Sequence, residues 1–492
     1  MQTKRLHEFL WIYLIVMFFA SSYVYGMVLK ANGDNVEHLH TSWLVWQGYM
    51  PYKDFFQHHN PLTWYLSAPF VAYLIDDENI FSIFNIVGVA TLYLIAYFQY
   101  KLFRLNYNNA SAALILAAIL ASAYSLLWST DYRPDTFMYL FFYVGLYYLF
   151  LYIQNTKQKF LIISFLAFFI SFMFTQKVLL HLVVPGIFVI YWLFIGKIKL
   201  LHLLYASILP IILLLLFIGY LYYNDALEIY WISNYPFNTY IPKIFDEQRI
   251  IVPPREYIDF YIFLPIAGIA SLYYIFKGSD MERLFSLTFW FETAVRMLYF
   301  SAFLHYVIFW LMTAIMLTVM FLSRFAKYKQ IIAWISVVYL IFMGWYNYHS
   351  TYKTEIVKKG YLNGHELAFK VLTPCDYALN GYYSTYNLKA KDPGFYSILL
   401  GQIDVLGEKA GVAKRDNLND LIRKNMPKII YGNVYWDTYW EQRGKKIIAH
   451  KIDDYLLNTY YEYSGVGNLY ILKPQYQKHG CVYNGKEWRF ID

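Results

Sequence analysis

Through the first 350 positions the chain alternates between long apolar runs and short polar joints. A helix needs about 20 mostly apolar residues to cross the hydrocarbon core, and about eleven runs qualify. They lie near 9–29, 80–100, 110–128, 136–153, 160–175, 178–196, 200–222, 257–276, 284–300, 304–322 and 331–348. The segment 62–75 is apolar but too short to cross comfortably, and it reads as a helix lying at the interface. The short joints carry Lys4 and Arg5, Lys101 and Arg104, Lys157 and Lys159, Lys197 and Lys199, Lys277 and Arg283, and Arg324, Lys327 and Lys329. Simple alternation of spans puts all of them on one face, which the bias of Lys and Arg makes cytoplasmic. No small-residue cleavage site follows the first run, so it reads as a signal anchor.

The opposite face receives the long segments 30–79, 223–256 and everything after about 350. Domains are therefore expected at 1–349, membrane-embedded, and at 350–492, extracytoplasmic. In the tail, Asn417–Met426 has helical spacing and stops at Pro427, and Asp453–Thr459 is a second helix. Lys428–Tyr431 and Asn468–Leu472 read as strands, which makes the tail a small α/β domain.

Composition agrees. Of 492 residues 59% are hydrophobic, 22% aromatic and only 15% charged, with mean hydropathy +0.34. A soluble domain carries about 25% charged residues, so an ordinary cytosolic enzyme is excluded, as is a disordered chain. The formal charge of +8 reports topology rather than nucleic acid. Two cysteines, Cys375 and Cys481, cannot build a disulfide scaffold or a Cys-rich zinc site. Both fall in the tail, where an oxidising compartment permits a pairing that sequence does not decide.

Acid–base groups concentrate in the first long segment. Asp34 can cap a helix in which Leu39, Trp43 and Trp46 recur at helical spacing and Gly48 ends the run. Such a helix is expected to lie on the membrane surface with Asp34, Glu37, His38 and Thr41 near its start, where carboxylates are electrostatically favoured. Asp34, Glu37, His38, His58 and His59 are ligand types for a divalent metal, but their spacing matches no zinc motif, and satisfied interfacial hydrogen bonds explain the histidines as well.

These residues resemble a family. The run Asp34-x-x-Glu37-His38-x-His40, then Gly48-x-x-Pro51-Tyr52-x-Asp54-Phe55-Phe56, then His59-x-Pro61, looks like the first periplasmic loop of GT-C glycosyltransferases. It is most similar to the bacterial branch related to dolichyl-phosphate-mannose:protein mannosyltransferases (glycosyltransferase family 39-like) and lipid A aminoarabinose transferases. Arg133-Pro134-Asp135 and His305-Tyr306 are further matches. Many relatives have Asp-Glu where this chain has Asp34-Asn35, and Glu37 lies close enough to compensate.

The resemblance implies a polytopic α-helical membrane protein with a C-terminal extracytoplasmic α/β domain, in a bacterial plasma membrane with its N-terminus cytoplasmic. It implies a hexosyl- or pentosyltransferase that moves a sugar from a polyprenyl-phosphate carrier to an extracytoplasmic lipid, polysaccharide or protein acceptor, with no nucleic-acid partner. Asp34 is then the general base of a single inverting displacement, with Glu37 as the second acid. His38, Asp54, His59, Arg133, Asp135, Lys177, Arg296, His305 and Tyr306 bind substrate. Arg133, Lys177 and Arg296 are candidate cations for the leaving phosphate, although each has a structural reading as an ion-pair or snorkelling residue. The outer-loop aromatics Trp231, Tyr235 and Tyr240 could stack on sugar or lipid. No cofactor is required and a divalent metal is optional, with Asp34, His38 and His59 as its nearest ligands. A flippase or a ligase for a polyprenyl-linked glycan is the alternative; a transporter should show internal repeats and midplane charges, whereas the polar density here is in the outer loops.

Overall fold

A computed structural model describes residues 2–24, 33–77, 79–123, 126–127, 131–239, 258–298, 307–325, 335–347, 349, 366–379, 388–395, 417–431, 452–465, 469–483 and 488–491. Among these, five helices are long and apolar enough to cross a membrane: Arg5–Val24, Ile80–Asn106, Pro134–Asn155, Leu200–Tyr223 and Ile258–Lys277. Five shorter apolar helices accompany them: Ala110–Ser122, Gln158–Phe174, Val183–Phe194, Ile308–Ser323 and Ile335–Asn347. Asp280–Leu298 forms a further helix of 19 residues. Every apolar run of the sequence thus contains a helix, in a multi-pass membrane protein.

One run departs from expectation. Residues 178–196 divide at Leu182 into Val178–His181 and Val183–Phe194. Pro185 explains the break, because its ring clashes with the carbonyl four residues back and it has no N–H to donate.

The chain forms two compact units. The first comprises Met1–Val28, Phe84–Gly219 and Pro242–Lys353. Ala110–Ser122 and Ile308–Ser323 are buried almost all round, the state of helices that are apolar on every face. Leu200–Tyr223 is their opposite. Its leucines and isoleucines, such as Leu204, Ile208, Leu215 and Leu216, stay exposed, a surface that suits only acyl chains. The hairpin of Pro134–Asn155 and Gln158–Phe174 turns at Thr156, in the left-handed region at φ 54°. Ser164 Oγ donates to Gly145 O at 2.8 Å and Ser171 Oγ to Met138 O at 2.7 Å, small polar residues that bring two membrane helices close. A Cβ on Gly145 collides with the Phe168 ring. Gly145→Leu is therefore expected to cost about 1–3 kcal/mol, the usual range for overpacking, read as a lower unfolding temperature in detergent.

Among the described residues at least four of the six joints expected to share one face are in contact. Asn106 Nδ2 donates to Ser279 Oγ at 3.0 Å, Lys197 pairs with Asp280, and Arg324 Nη2 reaches the buried Glu282 at 2.6 Å. These contacts link four joints, as alternation of the spans requires.

The second unit comprises Leu29–Ile83, Tyr220–Ile241 and Thr354–Asp492. The described parts of the three long segments assigned to the opposite face fall within it. In the tail, β1 (Ala378–Leu379) and β2 (Ile429–Tyr431) pair in parallel. β3 (Tyr461–Tyr463) and β4 (Leu469–Leu472) complete an antiparallel edge, giving the order β1-β2-β4-β3. β5 (Cys481–Tyr483) and β6 (Trp488–Phe490) form a separate hairpin. Asn417 caps Leu418–Asn425 by accepting from the N–H groups of Asn419 and Asp420, and Asp453 caps Asp454–Tyr460 through Tyr455 N–H. Ile422, Ile430, Leu456 and Leu472 close the core around them. Cys375 and Cys481 are disulfide-bonded, tying the β5–β6 hairpin to the segment before β1.

Candidate active site

The first long segment folds differently from a surface helix. Gly33–Trp46 is helical, with Asp34 inside the first turn rather than before it as a cap. Every residue from Asn35 to Leu44 is buried, whereas Trp46, expected on the apolar face, is 55% exposed. Packing on all sides replaces the one-sided burial that the periodicity suggested. The helix ends as expected at Gly48, whose φ of +89° is a conformation that favours glycine.

Its partner is Leu62–Leu74, the segment assigned to the interface. That helix buries Trp64, Ser67 and Val71 and exposes Leu66, Phe70 and Tyr73, the arrangement of a helix lying against lipid. Ser42 Oγ donates to His38 O at 2.7 Å and meets Ser67 Oγ at 2.7 Å. Trp64 Nε1 donates to His38 Nδ1 at 3.3 Å, which leaves the proton of a neutral His38 on Nε2.

Asp34 is half-buried, while Glu37 and His38 are buried. Three and four residues apart, they share one face of the helix. The His59 ring lies 5.6 Å from that of His38 and 4.2 Å from that of His58. Tyr52 holds this arrangement from behind. Its hydroxyl donates to the His59 carbonyl, and its backbone adopts φ 68°. Burial, reinforced by neighbouring Tyr230, pushes the Tyr52 hydroxyl well above its ordinary range, so it remains a donor at any physiological pH. Asp54 is exposed and closes a turn by accepting from Met50 N–H at 2.6 Å. Among the described residues no three His, Cys, Asp or Glu side chains are grouped to hold a metal, so Asp34, His38 and His59 do not form such a set.

Residues distant in sequence complete the unit. Tyr230 Oη donates to Asn60 Oδ1 at 2.8 Å, and Asn238 Nδ2 to His58 O at 2.7 Å. His40 Nδ1 lies 3.2 Å from Leu388 O and Nε2 lies 2.9 Å from Asp392 Oδ2, binding the first-segment helix to the tail. Phe56 N–H donates to Phe395 O at 2.7 Å beside them. No local pattern marks these partners, because the pairings cross up to 352 positions. Of the aromatics, Trp231 is exposed and packs on Tyr235 at 4.5 Å, and Tyr240 lies outside the described residues. His40→Leu removes the hydrogen-bond partner of the Asp392 carboxylate and of Leu388 O and should destabilise the unit by about 1–3 kcal/mol. Limited proteolysis between positions 388 and 395 measures it: faster cleavage is expected, and native resistance refutes it.

The remaining candidates gather in the first unit. Arg133 grips Asp131 with two nitrogens, Nη2 reaching Oδ2 at 2.6 Å, just before Pro134–Asn155. Lys177 Nζ pairs with Asp135 Oδ1 at 2.9 Å. Glu292 takes Arg296 Nη2 at 3.1 Å and His181 Nδ1 at 2.7 Å, and the Arg296 guanidinium lies over the Trp310 ring at 5.8 Å. Asp135, Glu292 and Arg296 all lie within electrostatic reach of the buried Tyr139. The three cations proposed for a phosphate are thus each paired with a carboxylate in a largely buried, charge-alternating patch. His305 and Tyr306 lie outside the described residues.

No protein-family model and no curated protein sequence matches the chain. Solved structures do. ArnT from Cupriavidus metallidurans in the apo state superposes over 88% of this chain and 94% of its own, with TM-score 0.58 and 12% identity. The same protein bound to undecaprenyl phosphate covers 93% and 97%, with TM-score 0.61 and 12% identity. At that identity the likeness is one of fold, and it agrees with the polytopic helical fold that the sequence resemblance implies.

Proposed function

We propose that the chain is a glycosyltransferase of a bacterial plasma membrane, with the second unit outside the cytoplasm, that transfers a sugar from a polyprenyl phosphate to an extracytoplasmic lipid, glycan or protein. The observation that carries this reading is the acid- and histidine-bearing helix Gly33–Trp46, buried in a unit of the extramembrane segments, in a chain that shares its fold with a protein solved with undecaprenyl phosphate. The Cys375–Cys481 disulfide supports the assigned side, since such bonds persist in oxidising compartments.

In the proposed reaction Asp34 takes the proton of an acceptor hydroxyl as that oxygen attacks the anomeric carbon. The bond from that carbon to the lipid phosphate breaks in the same step, and the configuration inverts. Glu37, three residues on, keeps a second negative charge near the developing positive charge of the sugar ring. His38 and His59 supply ring nitrogens for sugar hydroxyls. Asp54 holds the turn that presents His59. A departing phosphate needs cations as its charge grows, and the first unit offers Arg133, Lys177 and Arg296 as candidates. Asp135 and Glu292 keep Lys177 and Arg296 extended and ready. The donor sugar is a hexose or a pentose; this chemistry requires no metal, because protein cations suffice for a monophosphate leaving group.

Mass spectrometry of surface glycolipids and glycans from a deletion strain tests the proposal. One sugar mass should disappear and return with the native gene, while the polyprenyl-linked donor accumulates in its absence. An unchanged surface profile and donor pool refutes it.

A further inference from the structure

A cavity of about 270 Å³ lies in the tail, lined by β6, by the end of β4 and by residues before β1, β2 and β5. No residue of the first long segment lines it. Among the described residues four cations border it, Lys391, Lys428, Lys478 and Arg489. One described carboxylate, Asp376, stands among them, and it is engaged already. It accepts from the Thr373 N–H and hydroxyl, both at 2.7 Å, and pairs with Lys428 Nζ at 3.3 Å. Lys391 Nζ donates to Trp488 O at 3.0 Å, so its charge is held in place by a neutral partner. Neither Lys478 nor Arg489 has an ion-pair partner among the described residues. Converging positive charges with one carboxylate between them favour an anion in the space they border.

Two further features narrow the ligand. Trp488 and Tyr476 add aromatic side chains to the lining. Asn425 Nδ2 donates to Pro393 O at 2.8 Å and Gln477 Nε2 to Leu472 O, which leaves their amide oxygens as acceptors. Cations for an anionic group, ring faces for C–H surfaces and amide oxygens for hydroxyls match one class of molecule. The volume is below the usual range for drug-sized ligands and suits a single ring. The disulfide of Cys375, itself a lining residue, fixes the hairpin that forms one wall.

We infer that this cavity binds an anionic saccharide, a sugar unit carrying a phosphate or a carboxylate. The inference is one of binding and stands whether or not the chain transfers a sugar, so its test requires no turnover.

Full-length protein in nanodiscs of zwitterionic lipid is titrated with glucose 6-phosphate, glucuronic acid, glucose and inorganic phosphate, followed by isothermal titration calorimetry. Both anionic sugars should bind, and glucose should bind at least tenfold more weakly. The tighter of the two identifies phosphate or carboxylate as the preferred group. K478E with R489E, both at exposed positions, should lower affinity for either anionic sugar at least tenfold. Trp488→Leu should weaken the sugars while leaving inorganic phosphate unchanged. Equal binding of glucose overturns the inference, as does inorganic phosphate binding as tightly as the sugar phosphate. Binding that disappears when phosphatidylglycerol is added to the nanodisc overturns it too, because the cations then belong to lipid headgroups.

Discussion

Asp34→Asn is expected to lower sugar transfer by about 10²–10⁴-fold, the contribution of a positioned general base, without lowering the amount of protein in the membrane. Asparagine has the same shape as aspartate and still accepts hydrogen bonds at a helix N-terminus, so the structural cost is confined to the lost charge. Near a helix start that charge is worth about 0.3–1 kcal/mol. Glu37→Gln is the necessary companion, because Glu37 shares the helix face and is the more buried of the two acids. Surface glycans of a deletion strain carrying either variant provide the readout, with immunoblots confirming equal levels. Loss with Glu37→Gln alone moves the proton acceptor one helical turn along. A full profile from both variants removes acid–base chemistry from this helix and favours a flippase.

Cys375→Ser with Cys481→Ser should produce the largest change in stability. The bond joins residues 106 positions apart, and closing a loop of about 100 residues restricts the unfolded chain by about 4.7 kcal/mol in the chain-entropy treatment. Measured losses commonly fall at about 2–5 kcal/mol. Among the described residues the hairpin's other, hydrogen-bonded anchors include Lys391 Nζ to Trp488 O, and Ile491 N–H to Gly480 O at 3.0 Å within its own base. Limited proteolysis with and without reductant distinguishes the outcomes. Early cleavage around 481–490 in the variant, and in reduced native protein, is expected. Unchanged resistance means that packing alone retains the hairpin.

Much of this architecture was legible before any coordinates. The runs of Pro134–Asn155, Leu200–Tyr223 and Ile258–Lys277 are legible to within two residues, because in hydrocarbon a single apolar segment satisfies its backbone groups only as a helix. In the tail, Asn417, Asp453 and Pro427 marked element ends through local chemistry, since side-chain caps act within three residues and proline on its own backbone. The acid and histidine content of the first segment was equally plain.

Sequence periodicity failed where burial came from several directions. Leu39 and Trp43 suggested one apolar face, but Glu37, His38, His40 and Thr41 are also buried. Polar residues can line such an interior only because Trp64, Ser67, Gln57, Leu388 and Asp392 come to meet them. The pairing of Asp135 with Lys177, 42 positions on, is likewise a tertiary result, whereas Arg133 meets Asp131 two residues away as a local contact. Hydrophobic transfer and local capping depend on residue type and near neighbours, so the sequence by itself determined the spans, the caps and the location of the acids. Hydrogen bonds and ion pairs depend on distances between segments remote in the chain, so only the tertiary structure decided which polar groups face one another, that the two cysteines meet, and that four cations border a cavity in the tail.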